Sequence, residues 1–322
     1  MGPAPASAVV ERCPGSLIGT VESSKEARRQ LRSGSVQLEW VRVDDADARL
    51  AVEIEALLPA SRKPRSDEAS CEWNAVSKKE FVDLYSKDQL DPASNELRGP
   101  AACCVVRTVL RLAPSDKFID LGSANGRLVL IAALGSRCGN CAGLELSSRS
   151  HHAAVAARDA AAETLRRRTN EAVEGNSVLE NGGALENNER PPLGDHAQPP
   201  LGDCVHFFEG DVRQPRPYVV DRGCTVVYCA IRGATSRQKV LARVLEELTR
   251  DAPTAPPLRL ICAGFGVDVS GTAYAGRVAL VRAYAVAAEA APRANNPAGA
   301  AVAMYGDDVG PRVLLEYAVH AG

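Results

Sequence analysis

The residues best able to act together chemically are Asp120, Gly122, Ser123, Gly126 and Glu145. Phe118-Ile119-Asp120-Leu121 is a short apolar run carrying an acid, and Gly122 to Gly126 is a small-residue turn. Leu128 to Ala133 then resumes at helical density. The pattern predicts a strand, a tight loop and a helix. Glycines at 122 and 126 let the backbone turn sharply and approach a ligand with no Cβ in the way. The helix start directs N–H groups and partial positive charge at the same point. Ala142 to Leu146 reads as the next strand, and its Glu145 stands 25 positions beyond Asp120. In a doubly wound sheet, an acid at the tip of the second strand sits beside the first loop. There it accepts hydrogen bonds from both hydroxyls of a ribose. The implied chemistry is the binding of a nucleoside cofactor; the bland alternative is an ordinary strand-loop-helix corner of an α/β domain.

The dinucleotide fingerprint G-x-G-x-x-G is broken here. Ala124 stands at its middle glycine and Arg127 at its last, which makes a poor cradle for the pyrophosphate of NAD. The pattern Asp120-x-Gly122-x-Ala124-x-Gly126, with Glu145 beyond, instead resembles the S-adenosylmethionine loop of class I methyltransferases. That cofactor has no phosphate. It brings a sulfonium cation and an amino acid, beside which Asp120 is tolerated.

The elements that must position these residues alternate along the chain. Ser77-Lys78-Lys79-Glu80 has the spacing of a capping box before an apolar face of Phe81, Leu84 and Tyr85. Ala101 to Leu112 is a second helix leading into the strand at Phe118. Ser147 to Arg168 is alanine-rich and helical. Thr169 to Gly202 loses periodicity and fills with Asn, Gly, Glu and Pro, which predicts a disordered insertion over 169–203. Val205–Glu209, Thr225–Cys229 and Leu258–Ala263 read as further strands, with an amphipathic helix from Ser236 to Arg250 between the last two. Val278 to Val286 and Val313 to Val319 close the chain as two β runs with no helix between them. The expected fold is α/β and Rossmann-like: a mostly parallel sheet with a C-terminal antiparallel hairpin and helices on both faces. Residues 1–70 read as a loosely ordered extension holding a short helix near Glu22 to Arg32 and a short strand from Val36 to Val43. Residues 71–322 form the main domain.

Composition narrows the function classes. With 24% charged residues and a net charge of -2, nothing in the total advertises nucleic acid, and 4% aromatics leaves little for base-stacking platforms. The 10 cysteines lack metal-site spacing: Cys138 and Cys141 form a lone C-x-x-C with no second pair at a sensible distance. Reduced buried thiols fit better and imply a reducing, intracellular compartment. No run of about 18 apolar residues predicts a membrane span. No secretory or myristoylation signal is expected from the first residues.

The stretch from Asn95 to Ala263 resembles the histone H3 lysine methyltransferases of the disruptor-of-telomeric-silencing type, which are class I enzymes. Phe118-Ile119-Asp120-Leu121-Gly122-Ser123 with Glu145 carries most of the likeness. Asn95-Glu96-Leu97 lies where that family has a Tyr-Gly-Glu element. Gly210-Asp211-Val212 is similar to its Gly-Asp-Phe step, and Leu315 to His320 to its last strand. The resemblance implies S-adenosylmethionine as cofactor. It gives Asp120 and the loop of Gly122, Ser123 and Gly126 to the methionine end, and Glu145 to the ribose. Asp211 would accept from the adenine amine with Val212 against the ring, and Glu96 would order the access loop. Cys229 and Ala230 would line the acceptor side, where the family has paired asparagines. It further implies a protein lysine acceptor, with histone H3 in nucleosomes as candidate and the nucleus favoured over cytoplasm or mitochondrion. The family's basic tract for nucleosomal DNA is missing. Short mitochondrial lysine methyltransferases share the loop, including the arginine at Arg127. Nucleobase amino-methyltransferases carry an Asn/Asp-Pro-Pro-aromatic element that Tyr228-Cys229-Ala230-Ile231 does not match, and the two-glutamate loop of arginine methyltransferases is not visible.

Methyl transfer to an amine is an in-line displacement at a sulfonium, so the demand is for alignment. Lysine, with a pKa of about 10.4, must be presented neutral, and a narrow apolar channel achieves that by disfavouring the charged form. No general base is required, and none of the five histidines stands out as one. The alternatives are a non-histone protein or small-molecule methyltransferase, or a cofactor-binding scaffold without turnover.

Overall fold

The computed structural model describes residues 10–11, 24–57, 99–178, 200–230, 234–250, 257–288 and 313–320. In chain order these form β1 (Val10–Glu11), α1 (Lys25–Ser33), β2 (Leu38–Val43), α2 (Asp45–Glu55) and α3 (Gly99–Cys104), which runs into a π-helical segment (Val105–Leu110). Then come β3 (Phe118–Leu121), α4 (Arg127–Gly135), β4 (Cys141–Glu145), α5 (Ser148–Val178), α6 (Leu201–Cys204) and β5 (Val205–Glu209). The rest is α7 (Arg216–Val219), β6 (Val226–Cys229), α8 (Ala234–Thr249), β7 (Leu258–Ala263), β8 (Val278–Ala288) and β9 (Val313–Val319).

The strands make one sheet in the order β1-β2-β8-β9-β7-β6-β3-β4-β5. The run β7-β6-β3-β4-β5 is parallel throughout, while β9 is antiparallel to both β7 and β8. From β3 the chain steps outward through β4 to β5, then returns to β6 on the other side of β3. That reversal opens a crevice at the carboxyl end of β3, where ligands of such sheets bind. The expected antiparallel ending is present, although β9 slots between β7 and β8 instead of closing an edge.

Strand pleating sends alternate side chains to two apolar cores. Phe118, Cys141, Val205, Val226 and Tyr228 face α2, α3, α4 and α5. Ile119, Leu121, Leu144, Val227 and Cys229 face α1, α7 and α8.

Two expectations need correction. Residues 24–57 are an integral part of the fold. β2 pairs in parallel with β8 from Leu38↔Ala283 to Val43↔Ala288, with Leu38, Val41 and Val43 buried. Without β2 the apolar strand β8 would present an open edge, so covering it is a strong drive to order. Ser24 caps α1 through Ala27 N–H at 3.0 Å, and its hydroxyl reaches the Val267 carbonyl at 3.1 Å, tying the helix to the chain after β7. Second, helix α5 continues past Arg168 to Val178. The ion pair Arg167–Glu171, four residues apart, supports the first of those turns. Residues 179–199 of the expected insertion, Glu96 and the expected helix from Ser77 lie outside the described residues.

Candidate active site

The glycine bend forms at the carboxyl end of β3, at the crevice. Gly122 has φ 82 and Gly126 has φ 75, and Ala124 takes the left-handed conformation at φ 47. Glycine at 126 is needed twice over. Beyond its backbone angle, a Cβ there would lie 2.4 Å from the Phe207 ring and 2.9 Å from Ala154 Cβ. Phe207 on β5 thus clamps the start of α4 against α5.

The bend is held without any ligand. The Leu144 carbonyl accepts from Gly122 N–H at 2.8 Å and Ser123 N–H at 3.1 Å. Gly126 N–H donates to the Ser123 carbonyl at 2.8 Å. Ala124 N–H donates to Glu145 Oε2 at 2.8 Å, and Ser147 N–H to Glu145 Oε1 at 2.9 Å. Glu145 therefore does meet the bend, as its spacing predicts. Burial pushes the Glu145 carboxyl above its ordinary range, opposed by the N–H groups of Ser147, Ala124 and Leu146. A carboxylate offers about four lone-pair positions. With the N–H groups of Ala124, Ser147 and Leu146 all directed at it, at least one position remains for a ribose hydroxyl. A pyrophosphate would instead need the N–H groups of Gly122, Ser123, Ala124 and Gly126, which are already committed. The bend fits a nucleoside with no phosphate at this point.

Asp120 is 5% exposed, lies in register between Gly143 of β4 and Tyr228 of β6, and shares their face. The Ser123 side chain turns down toward β4, its hydroxyl oxygen 2.6 Å from where a Gly143 Cβ would stand. That oxygen is buried with no hydrogen-bond partner among the described residues. Ser123 thus serves the bend through its backbone. Asp211 follows β5 and accepts from Arg213 N–H at 2.8 Å and from Arg213 Nε at 2.7 Å, as a turn acid in a local ion pair. Gly210 N–H donates to the Glu145 carbonyl at 2.9 Å, which brings this turn to the tip of β4. Val212 is partly buried and packs against the core that faces α1, α7 and α8.

Cys229 does not line the acceptor side. It is fully buried in the core facing α8, because it falls one residue out of phase with Tyr228 on the pleat. Ala230 is half-buried and packs toward the same face as Tyr228, so it remains at the crevice. Sequence reasoning missed Phe207 and Tyr228. Both could have been found by carrying the alternation of β3 across to β5 and β6.

The sheet order and its carboxylate-tipped bend give the Rossmann-like fold seen in class I S-adenosylmethionine-dependent methyltransferases. Residues 88–170, less than half of the chain, match the family described as histone methylation protein DOT1. That span contains the bend and Glu145. No curated protein matches the chain by sequence. Among solved structures, TrmN from Thermus thermophilus is similar at 15% identity, covering 67% of this chain and 49% of that one, with a TM-score of 0.37. The chain thus spans about half the length of that protein. The M1A22 tRNA methyltransferase TrmK of B. subtilis is similar at 13% identity, covering 67% and 65%, with a TM-score of 0.39. A Pyrococcus abyssi tRNA (uracil-54, C5)-methyltransferase in complex with S-adenosyl-L-homocysteine gives 12% identity, 70% and 40% coverage, and a TM-score of 0.38.

Proposed function

We propose that this chain transfers a methyl group from S-adenosylmethionine to a protein lysine, with histone H3 as the first acceptor to test. The observation that carries the cofactor half is the Glu145 carboxylate bonded to Ala124 N–H at 2.8 Å. It leaves an acceptor for a ribose, while the N–H groups of Gly122, Ser123, Ala124 and Gly126 are already committed within the bend. The acceptor half rests on the DOT1 match over residues 88–170. In this reading Asp120 and the backbone from Gly122 to Gly126 hold the methionine end, and Glu145 holds the ribose. Val212 lies against the adenine, and Asp211 takes its amine once Arg213 releases it. The cofactor supplies the electrophilic methyl. The protein's part is to align an amine behind it and to strip water so that the amine stays neutral. Ala230 offers no group for proton transfer, which agrees with a displacement that needs none.

The test is transfer of labelled methyl from S-adenosylmethionine onto nucleosomes, separated histones and a mitochondrial extract. Label on a lysine of histone H3 supports the full reading. Label only on another protein or on a small molecule retains the cofactor half and overturns the acceptor. Tight cofactor binding without transfer to any of these would make the chain a scaffold.

A further inference from the structure

Helix α1 carries a concentration of positive charge that the site above does not use. Lys25, Arg28, Arg29 and Arg32 fall within an arc of about 100° over a length of about 10 Å of the helix. Ala27 and Leu31, on the opposite side, are buried and anchor the helix to the core. The four cations therefore face outward, and with Ser33 they line an open groove of about 660 Å³. Glu26 sits at the margin and holds Arg29 in an ion pair at 2.8 Å. Lys25, Arg28 and Arg32 have no ion-pair partner among the described residues. The stripe works against the helix that bears it. Like charges three and four residues apart repel, and Lys25 lies in the first turn, where the macrodipole disfavours a cation. An anion laid along the groove relieves both. The stripe also begins at the crevice end of the sheet. Ser24, the cap of α1, donates to the Val267 carbonyl at 3.1 Å and to Asp268 Oδ1 at 2.8 Å, just beyond the carboxyl end of β7. β7 pairs with β6 and β6 with β3, so Lys25 stands two strands from the glycine bend.

We propose that the basic face of α1 docks an acidic segment of the protein that the chain methylates, holding its carboxylates in the groove while a lysine enters the crevice. This docking role rests on a protein being the acceptor, as proposed above. Guanidinium groups pair with carboxylates through two parallel hydrogen bonds. Side chains on one face of an extended peptide recur about every 7 Å, so a stripe of about 10 Å seats two or three acids. A nucleic-acid backbone suits the surface less well. Proteins that grip a duplex commonly neutralise about 6–10 phosphates, against three uncommitted cations here. None of the described residues lining the groove is aromatic, so it gives a base nothing to stack on. The chain as a whole, at a net charge of -2, does not attract a long polyanion.

Fluorescein-labelled octaglutamate, octaglutamine and a short DNA duplex are each titrated with the full chain at low salt and read by fluorescence anisotropy. Octaglutamate should bind and octaglutamine should not. Lys25→Gln/Arg28→Gln/Arg32→Gln should weaken octaglutamate at least about tenfold. That variant removes like-charge contacts, so it should melt no lower than wild type. Arg28→Gln alone, with a loss of about two- to fivefold, replaces it if the triple variant fails to fold. No binding of octaglutamate, equal binding by the variant, or a duplex bound more tightly than octaglutamate and lost in the variant overturns the proposal. With the methylated protein as substrate, the same variant should raise KM while leaving kcat and S-adenosylmethionine affinity unchanged; an unchanged KM overturns the docking role. The anisotropy needs neither cofactor nor transfer. Failure of the protein-acceptor reading leaves wild-type octaglutamate binding intact, whereas failure of the docking surface abolishes that binding while protein methylation continues.

Discussion

Glu145→Gln is the sharpest probe of the site. The carboxylate accepts from Ala124 N–H at 2.8 Å and from Ser147 N–H at 2.9 Å, one on each oxygen. An amide has a single oxygen, so one donor must face an NH₂. For the cofactor, at least one ribose hydroxyl loses its charged acceptor. A hydrogen bond to a charged group contributes about 1.5–3 kcal/mol, so S-adenosylmethionine should bind about 10- to 150-fold more weakly. Isothermal calorimetry on wild type and variant gives the ratio, and a thermal melt without cofactor separates any loss of fold. Equal affinities in two well-folded proteins would refute the reasoning. The pH dependence supplies a second check. Burial raises the Glu145 pKa above its ordinary value of 4.5. The folded chain therefore binds the proton more readily than the unfolded one, and the stability this residue contributes is lost as pH rises through the raised value. Cofactor binding needs the ionised form, so affinity should fall as pH drops through the same window. Apo stability and cofactor affinity should thus respond to acid in opposite directions at this residue, and Glu145→Gln should flatten both.

Gly126→Ala should lower the unfolding free energy by about 2–4 kcal/mol, from the left-handed backbone and the collision with Phe207 together, as read by denaturant titration. Arg259→Ala should cost about 3 kcal/mol in the same assay, because it leaves Glu316, 4% exposed, without its cation and the carbonyls of Val109 and Leu110 without their donors. Arg213→Ala should tighten S-adenosylmethionine by up to about fivefold by releasing Asp211, given the modest worth of a part-exposed ion pair. An unchanged affinity would mean that Asp211 serves only its turn.

What could be read in the sequence was what short apolar runs encode. Val205–Glu209, Leu258–Ala263 and Val313–Val319 are strands with the expected bounds, because each run is flanked by turn residues. The meeting of Glu145 with the bend was legible because a β-α-β crossover fixes it at short range. The membership of residues 24–57 was not. β2 carries Glu39 and Arg42 among its apolar residues, and only its partner β8, some 240 residues later, gives it a reason to be ordered. The Asp211–Arg213 pair was legible in principle from two opposite charges two residues apart.

The failure at Cys229 follows from the pleat. Phe207, Gly143, Asp120 and Tyr228 align across β5, β4, β3 and β6, and Glu145, two residues beyond Gly143, keeps their face toward α4. A residue at the tip of β6 can reach the crevice only if it keeps that phase, which Tyr228 and Ala230 do and Cys229 does not. In the proposed reading, the residues from this strand that face the crevice are the Ala230 methyl group and the buried Tyr228 phenol, and neither is charged at neutral pH. Such a wall disfavours a charged amine. A single substitution tests this: Ala230→Asp should place a carboxylate where a neutral amine must sit, hold lysine protonated, and cut methyl transfer while leaving S-adenosylmethionine affinity within about twofold. Loss of cofactor binding in that variant would mean that Ala230 touches the cofactor itself and that the acceptor approaches from another side.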